Sequence, residues 1–182
     1  MTLAIMLIVA IVLIGVIISN YNSLIKARNR VKNAWAQIDV QLQKRFDLIP
    51  NLMETVKGAA NYERETFEKI VQARNTYVST KNVSEKIQIS KQAENLFGSI
   101  NALHENYPEL KANSNYIKFM DSLSEIEEQI SVSRLFYNDT VNKYNDKIMV
   151  FPNNIVATIF GFKESSLLTV NEEVKKNIEV KF

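Results

Sequence analysis

What most constrains this chain is what its first eighteen residues lack. From Met1 to Ile18 there is no charged side chain and a single polar one, Thr2, and Leu3 to Ile18 runs unbroken through apolar residues and one glycine. As a helix, Met1 to Ser19 rises about 28 Å, close to the roughly 30 Å of hydrocarbon in a bilayer. A buried core helix and a cleaved signal peptide pass the same length test. A signal peptide, however, carries Lys or Arg before its apolar run and small residues at its cleavage site. No base precedes Leu3, and Ser19-Asn20-Tyr21 does not resemble an A-x-A site. Residues 1–19 are therefore expected to be an uncleaved membrane anchor, with Leu3, Ile8, Leu13 and Ile18 along it.

The flanks give that anchor a direction. Lys26, Arg28, Arg30 and Lys32 all precede the first acid, Asp39, whereas the other flank offers only the terminal amine. Basic residues stay on the cytoplasmic side, so the expectation is a single-pass cell-membrane protein with its N-terminus outside and its long C-terminal part in the cytoplasm. At 100° per residue the four bases fall on two helix faces. They suit a general attraction to anionic headgroups and not a shaped lipid pocket.

Beyond the anchor, four glycines and three prolines in 182 residues are too few for a sandwich, a barrel or a Rossmann-type domain, all of which need many tight turns. Long helices are the natural reading. Alternating steps of four and three from Leu24 land on Leu24, Arg28, Val31, Trp35, Ile38, Leu42, Arg45, Ile49, Leu52, Val56 and Ala59. Nine of these eleven are apolar, the mark of a coiled-coil-like seam. Pro50 falls inside the run without shifting its phase, which predicts a kink there. Gly58, Asn61 and Glu63 predict a true break near 58–61.

Three further helices are expected. One covers about 62–80, with Phe67, Ile70, Val71, Arg74, Tyr77 and Val78 on one side. The next covers about 84–105, with Ile89, Ala93, Leu96, Ile100 and Leu103 in register, and Asn106-Tyr107-Pro108 ends it. The last covers about 110–150 and aligns Tyr116, Phe119, Leu123, Ile126, Ile130, Ser133, Tyr137, Val141, Tyr144, Ile148 and Phe151.

Helices with one apolar stripe each and short connections bury themselves most simply as a bundle. The fold class is thus all-α: an N-terminal transmembrane helix (1–19), an antiparallel up-down four-helix bundle (20–151), and a juxtamembrane segment with a polar tail (152–182). With an even number of helices, the last returns to the membrane end. Residues 151–162 then have Ile155, Val156, Ile159, Phe160 and Phe162 available either to cap the bundle core or to lie on the bilayer interface. Capping is the preferred reading, since no Lys or Arg precedes Lys163. The tail, with Val174, Ile178, Val180 and Phe182, is expected to be loose or weakly extended.

The residue inventory is poor in reaction chemistry. There is no cysteine, which removes disulfides, thiolate catalysis and Cys-ligated zinc. The one histidine, His104, follows Asn101 by three, so the Glu-x-x-His pair of di-metal bundles cannot be written. It is expected to be a surface or capping group. No Gly-x-Ser-x-Gly, P-loop or Gly-x-Gly-x-x-Gly occurs. Glu125, Glu127 and Glu128 read as a solvated helix face. A net charge of +2 gives no reason to expect nucleic acid.

Two patterns stand out. Arg28, Arg45 and Arg74 occupy seam positions, with Asp39 and Asp47 as candidate partners. Buried ions cost several kcal/mol unless paired, and such arginines more often lie at the rim with their stems buried. Tyr137-Asn138-Asp139 recurs seven residues later as Tyr144-Asn145-Asp146, which stacks two tyrosines on one face with amides beside them. With Tyr21 and Asn22 at the head of the first helix, these residues (Tyr21, Asn22, Tyr137, Asn138, Tyr144 and Asn145) suggest a polar collar at the membrane-proximal end.

A family resemblance rests on Tyr21-Asn22, Arg28-Asn29, Ala34-Trp35, Gln37-Ile38-Asp39-Val40-Gln41-Leu42, Arg45, Asp47-Leu48-Ile49-Pro50-Asn51-Leu52 and Glu54-Thr55-Val56-Lys57-Gly58. It continues through Ala73-Arg74, Tyr107-Pro108, Leu110-Lys111-Ala112-Asn113, Ile126-Glu127, Arg134, Tyr137-Asn138, Tyr144-Asn145, Phe151-Pro152 and Gly161-Phe162. This pattern resembles the LemA family over nearly the whole chain, with Asp-Leu-Ile-Pro-Asn-Leu its most specific block. The sequence departs from the family at Ser133, where Ala is usual, and at Phe46, where His is common. The resemblance implies a bacterial protein with one N-terminal membrane helix and a cytoplasmic helical bundle. It carries over no catalytic residue.

The resulting expectation is a non-enzymatic, membrane-anchored helical scaffold or assembly factor that binds the lipid bilayer and a protein partner or itself. No cofactor, metal, nucleic acid or small-molecule substrate is expected. The competing readings are a hydrolase or lipid-modifying enzyme using bundle carboxylates, and an exported helical protein released by signal cleavage.

Overall fold

The computed structural model describes residues 1–56, 64–107, 110 and 112–168, and side chains within these except those of residues 64 and 99–106. The described residues are helical with no strand: α1 (Thr2–Asp47), α2 (Ile49–Thr55), α3 (Arg64–Ser79), α4 (Val83–Asn106), α5 (Ser114–Met149) and α6 (Asn153–Ile159). The chain is all-α, and it divides into two compact units. One comprises Met1–Gln37 with Val132–Phe182, the other Ile38–Ser131.

The second unit is an up-down-up-down bundle of residues 38–56, α3, α4 and the first half of α5. Asp39 meets Tyr77 while Asp47 meets Arg74, so α3 runs against α1. Asp39 also meets Lys86, and Phe46 meets Phe97, so α4 runs with α1. Arg45 reaches Glu127, and Leu48 to Thr55 share a groove with Asn115 to Ser122, so α5 runs against it. Local signals set the helix starts. The Asn82 Oδ1 accepts from the N–H groups of Ser84 and Glu85 to cap α4, and the Asn113 Oδ1 accepts from those of Asn115 and Tyr116 to cap α5. Each cap pairs helix-end donors that would otherwise have no partner.

The seam keeps its phase through the break between α1 and α2. Pro50 has no N–H to give the Phe46 carbonyl, and the helix is interrupted at Leu48, whose N–H turns to the Arg45 carbonyl at 3.3 Å. Leu42, Arg45, Ile49, Leu52 and Val56 nevertheless remain buried in sequence. Pro50 therefore tightens the backbone at one residue without rotating the apolar face. The break expected near 58–61, including Gly58, Ala59, Asn61 and Glu63, lies outside the described residues. So do Pro108 and the tail residues Val174, Ile178, Val180 and Phe182, and the side chains of Ile100, Leu103 and His104.

Elsewhere the stripes match with two corrections. Val78, expected on the apolar face of α3, is 56% exposed, because Tyr77 takes the inward position beside it. Phe151, the expected end of the α5 stripe, is 77% exposed. The helix stops at Met149, two residues before it, so the heptad register no longer governs where Phe151 points.

In the first unit, residues 20–37 of α1 and 132–149 of α5 form an antiparallel helical hairpin. Trp35 packs edge-on to Tyr137 at 6.2 Å, while at the other end Tyr21 meets Phe160. Val31, Ala34, Tyr137, Val141, Tyr144 and Ile148 fill the seam, and Val156 and Ala157 of α6 add to the same core. Gly161, at φ +68°, ends α6 with the Phe162 N–H on the Ala157 carbonyl at 2.9 Å. That left-handed position is the one glycine occupies without strain.

Candidate functional site

The candidate site is built on the first unit, where the apolar run and the chain's two tyrosine-asparagine repeats fall together. The run is entirely helical within α1, and residues 1–18 are all exposed. Leu3, Ile8, Leu13 and Ile18 all project from the protein. Such a helix is long and apolar enough to cross a bilayer by length and composition.

Immediately beyond it stands an aromatic cluster. Tyr21 lies 4.7 Å from Phe160 and 5.8 Å from Phe162, and the Arg28 guanidinium sits 5.2 Å over the Phe162 ring. Cation–π contact of this kind fixes a ring and a charge together. Of the four membrane-proximal bases, Arg28 is thus engaged by a ring, Arg30 lines a groove, and Lys26 and Lys32 are exposed.

The heptad repeat on α5 holds the segment 163–168, which has no regular secondary structure. The Asn145 amide donates to the Ser165 carbonyl at 2.9 Å and accepts from its N–H at 2.9 Å. The Asn138 amide does the same for Leu168, at 2.9 and 2.8 Å. Tyr144 and Tyr137 donate their hydroxyls to the carbonyls of Lys163, at 3.0 Å, and Ser166, at 3.2 Å. Burial pushes both phenols above their ordinary pKa, with the Arg28 charge opposing this at Tyr144, so both remain donors at neutral pH.

Of the six collar residues, four therefore converge on the backbone of residues 163–168. Tyr21 joins the aromatic cluster instead, and Asn22 is exposed. The peptide segment these four residues grip is the part sequence reading missed. The repeat period was its only available signal.

A groove of about 560 Å³ opens between the two helices, lined by Arg30, Ala34, Gln37, Phe136, Lys143 and Lys147 among others. Its one carboxylate, Asp139, pairs with Lys143 at 2.7 Å.

In the second unit the ionisable residues serve the core. Arg45 is fully buried, where the commoner expectation was a rim position, and its partner is Glu127 at 2.9 Å and not Asp39 or Asp47. Its second nitrogen donates to the Ser90 carbonyl at 3.2 Å, and its guanidinium lies 4.8 Å over the Phe97 ring. Glu127 consequently turns from the acidic face toward Arg45 while staying partly exposed, and Glu125 and Glu128 remain fully on that face. Asp39 instead takes Lys86, at 2.7 and 2.9 Å, and the Tyr77 hydroxyl. Burial first, and that hydrogen bond to a carboxylate second, push the Tyr77 phenol far above its usual range. Among the described residues no group of three or more His, Asp or Glu is arranged to hold a metal ion.

The sequence model of the LemA family matches residues 34–182. Protein LemA of Metamycoplasma hominis is 28% identical over 165 residues, covering 90% of this chain and 75% of the relative. Magnetosome proteins MamQ 1 and MamQ 2 of Paramagnetospirillum magneticum are each 25% identical over 178 residues, 84% of this chain and 65% of theirs. Magnetosome protein MamQ of Magnetospirillum gryphiswaldense is 24% identical, over 88% and 69%.

Proposed function

The chain belongs to the LemA family, and we propose that it is a single-pass membrane-anchored scaffold or assembly factor, without a reaction of its own, that binds itself or partner proteins. One observation carries the reading. The helix that holds the apolar run continues without interruption to Asp47, so the anchor and the start of the folded seam belong to one 46-residue element. An anchor built this way fixes a helical surface at the membrane instead of tethering it by a loop. Similarity to proteins named for the magnetosome agrees with a role in a membrane-associated assembly.

The four bases after the span support an orientation with the bundle in the cytoplasm. The carboxylates give little support to the hydrolase reading. Glu127, Asp39 and Asp139 are each paired with a cation, and the groove of the first unit holds a single carboxylate, whereas that reading needs acids clustered together in a pocket.

Crosslinking in native membranes tests the proposal, with photoreactive residues placed at Leu135 and Phe136, exposed side chains of α5. Reproducible adducts to a second copy or to the same protein partner are expected. Membranes that yield neither contradict a scaffold.

A further inference from the structure

Resting on the reading of residues 1–19 as a membrane span, we propose that α6 and its flanks form a second membrane contact. It would lie along the headgroup–acyl boundary of the leaflet from which α1 emerges.

The short helix α6 has two unlike faces. Val156 and Ala157 are buried in the hairpin core, whereas Ile155 and Ile159, one turn apart, are 51% and 67% exposed. Met149, Val150, Phe151 and Phe160 extend that exposed apolar surface on either side. Core capping thus accounts for one side of the segment and leaves the other without a partner among the described residues. A contiguous apolar patch of this kind marks a contact surface.

Position identifies what it contacts. Phe160 packs 4.7 Å from Tyr21, and Tyr21 lies three residues past Ile18, a rise of about 4.5 Å along the helix. The headgroup region extends roughly 5–7 Å beyond the hydrocarbon on each side. If the span occupies the hydrocarbon, Phe160 stands within the headgroup layer, and the apolar face of α6 is continuous with the surface already in lipid. Tyr21 at that depth matches the belt of Trp and Tyr at membrane interfaces, and the two phenylalanines packed on it are held at the same level.

Charge is consistent with insertion. No Asp, Glu, Lys or Arg occurs from Ile148 to Phe162. The bounding pairs Asp146-Lys147 and Lys163-Glu164 cancel, so the segment itself brings no net charge and its contact is apolar in origin, with Arg28 beside Phe162 the nearby cation.

The absence of cysteine makes the test direct. Full-length Leu7→Cys, Ile159→Cys and Glu125→Cys proteins are labelled with an environment-sensitive fluorophore. They are then reconstituted into phosphatidylethanolamine–phosphatidylglycerol vesicles carrying nitroxides at shallow or deep acyl positions. The expected result is a blue-shifted Ile159→Cys label quenched mainly by the shallow nitroxide at low and high salt, with Leu7→Cys quenched mainly by the deep one and Glu125→Cys by neither. An unquenched Ile159→Cys label beside a quenched Leu7→Cys label overturns the second contact and leaves the span standing. So does a label shielded from water but untouched by either nitroxide, which would mean protein covers the face. Loss of quenching at Leu7→Cys overturns the span, and this inference with it.

Discussion

Asn145 grips Ser165 with both ends of its amide, donating to the carbonyl and accepting from the N–H of the same residue at 2.9 Å each. Asn138, seven residues earlier, does the same to Leu168, three residues later. Seven residues of helix advance about 10.5 Å, and three residues of extended chain about 10 Å. The repeat Tyr-Asn-Asp and the extended segment are commensurate, and Tyr144 and Tyr137 follow the same step of three on Lys163 and Ser166.

Removing one grip should loosen that segment locally. Asn145→Ala deletes two neutral hydrogen bonds worth about 1 kcal/mol each, so amide exchange in the 163–168 segment should accelerate roughly thirtyfold with little change at α4. Asn145→Asp keeps the acceptor and loses the donor, and should produce about half the effect in free energy. Hydrogen–deuterium exchange read by mass spectrometry checks both. Unchanged protection in the alanine variant would contradict the grip.

The repeat shows where sequence reading reached and where it stopped. Its period was plain, and it put two tyrosines and two asparagines on one face. Nothing in the period named the ligand, because the partner is backbone, which any sequence can offer. The seam from Leu24 to Val56 was legible through Pro50 because the apolar spacing never slips. Arg45 was legible as an oddity in that seam, but not as a fully buried ion. Its partner Glu127 lies 82 residues away, and one of three neighbouring acids was chosen by helix facing, which spacing along a single helix does not encode. Val78 and Phe151 failed for opposite reasons: Tyr77 filled the inward position in one case, and the helix ended before the other.

The buried Arg45 gives a contrast between charge and volume. Arg45→Ala removes an ion pair and empties its site, and should cost about 3 kcal/mol. Arg45→Met fills most of the space, and with Glu127 able to reach water it should recover more than half of that loss. Thermal melting of full-length protein in mild detergent, followed by circular dichroism, compares them. Equal destabilisation by Met and Ala would mean that the charge itself is required.

Alkaline pH should find the tyrosines. The Tyr77 phenol is raised in the folded protein by burial and by Asp39, whereas an unfolded tyrosine ionises near pH 10. The folded state then holds a proton that the unfolded state has released. The stabilisation is fully present below about pH 10 and is lost as pH rises above it, by about 1.4 kcal/mol per pH unit for one such group. Tyr77→Phe should therefore flatten the fall in stability above pH 10 by up to that slope. Denaturant midpoints at successive alkaline pH values measure it, and an unchanged slope would mean that Tyr77 ionises freely in the folded protein.

The central proposal is that residues 1–19 anchor the chain in a membrane with the helical bundle on its cytoplasmic side. The most direct test is labelling of full-length Glu125→Cys, an exposed position in a chain with no other thiol, by a membrane-impermeant maleimide in intact cells and in cells opened by detergent. The account predicts that Glu125→Cys reacts only after the membrane is opened. Equal labelling in intact cells would contradict it.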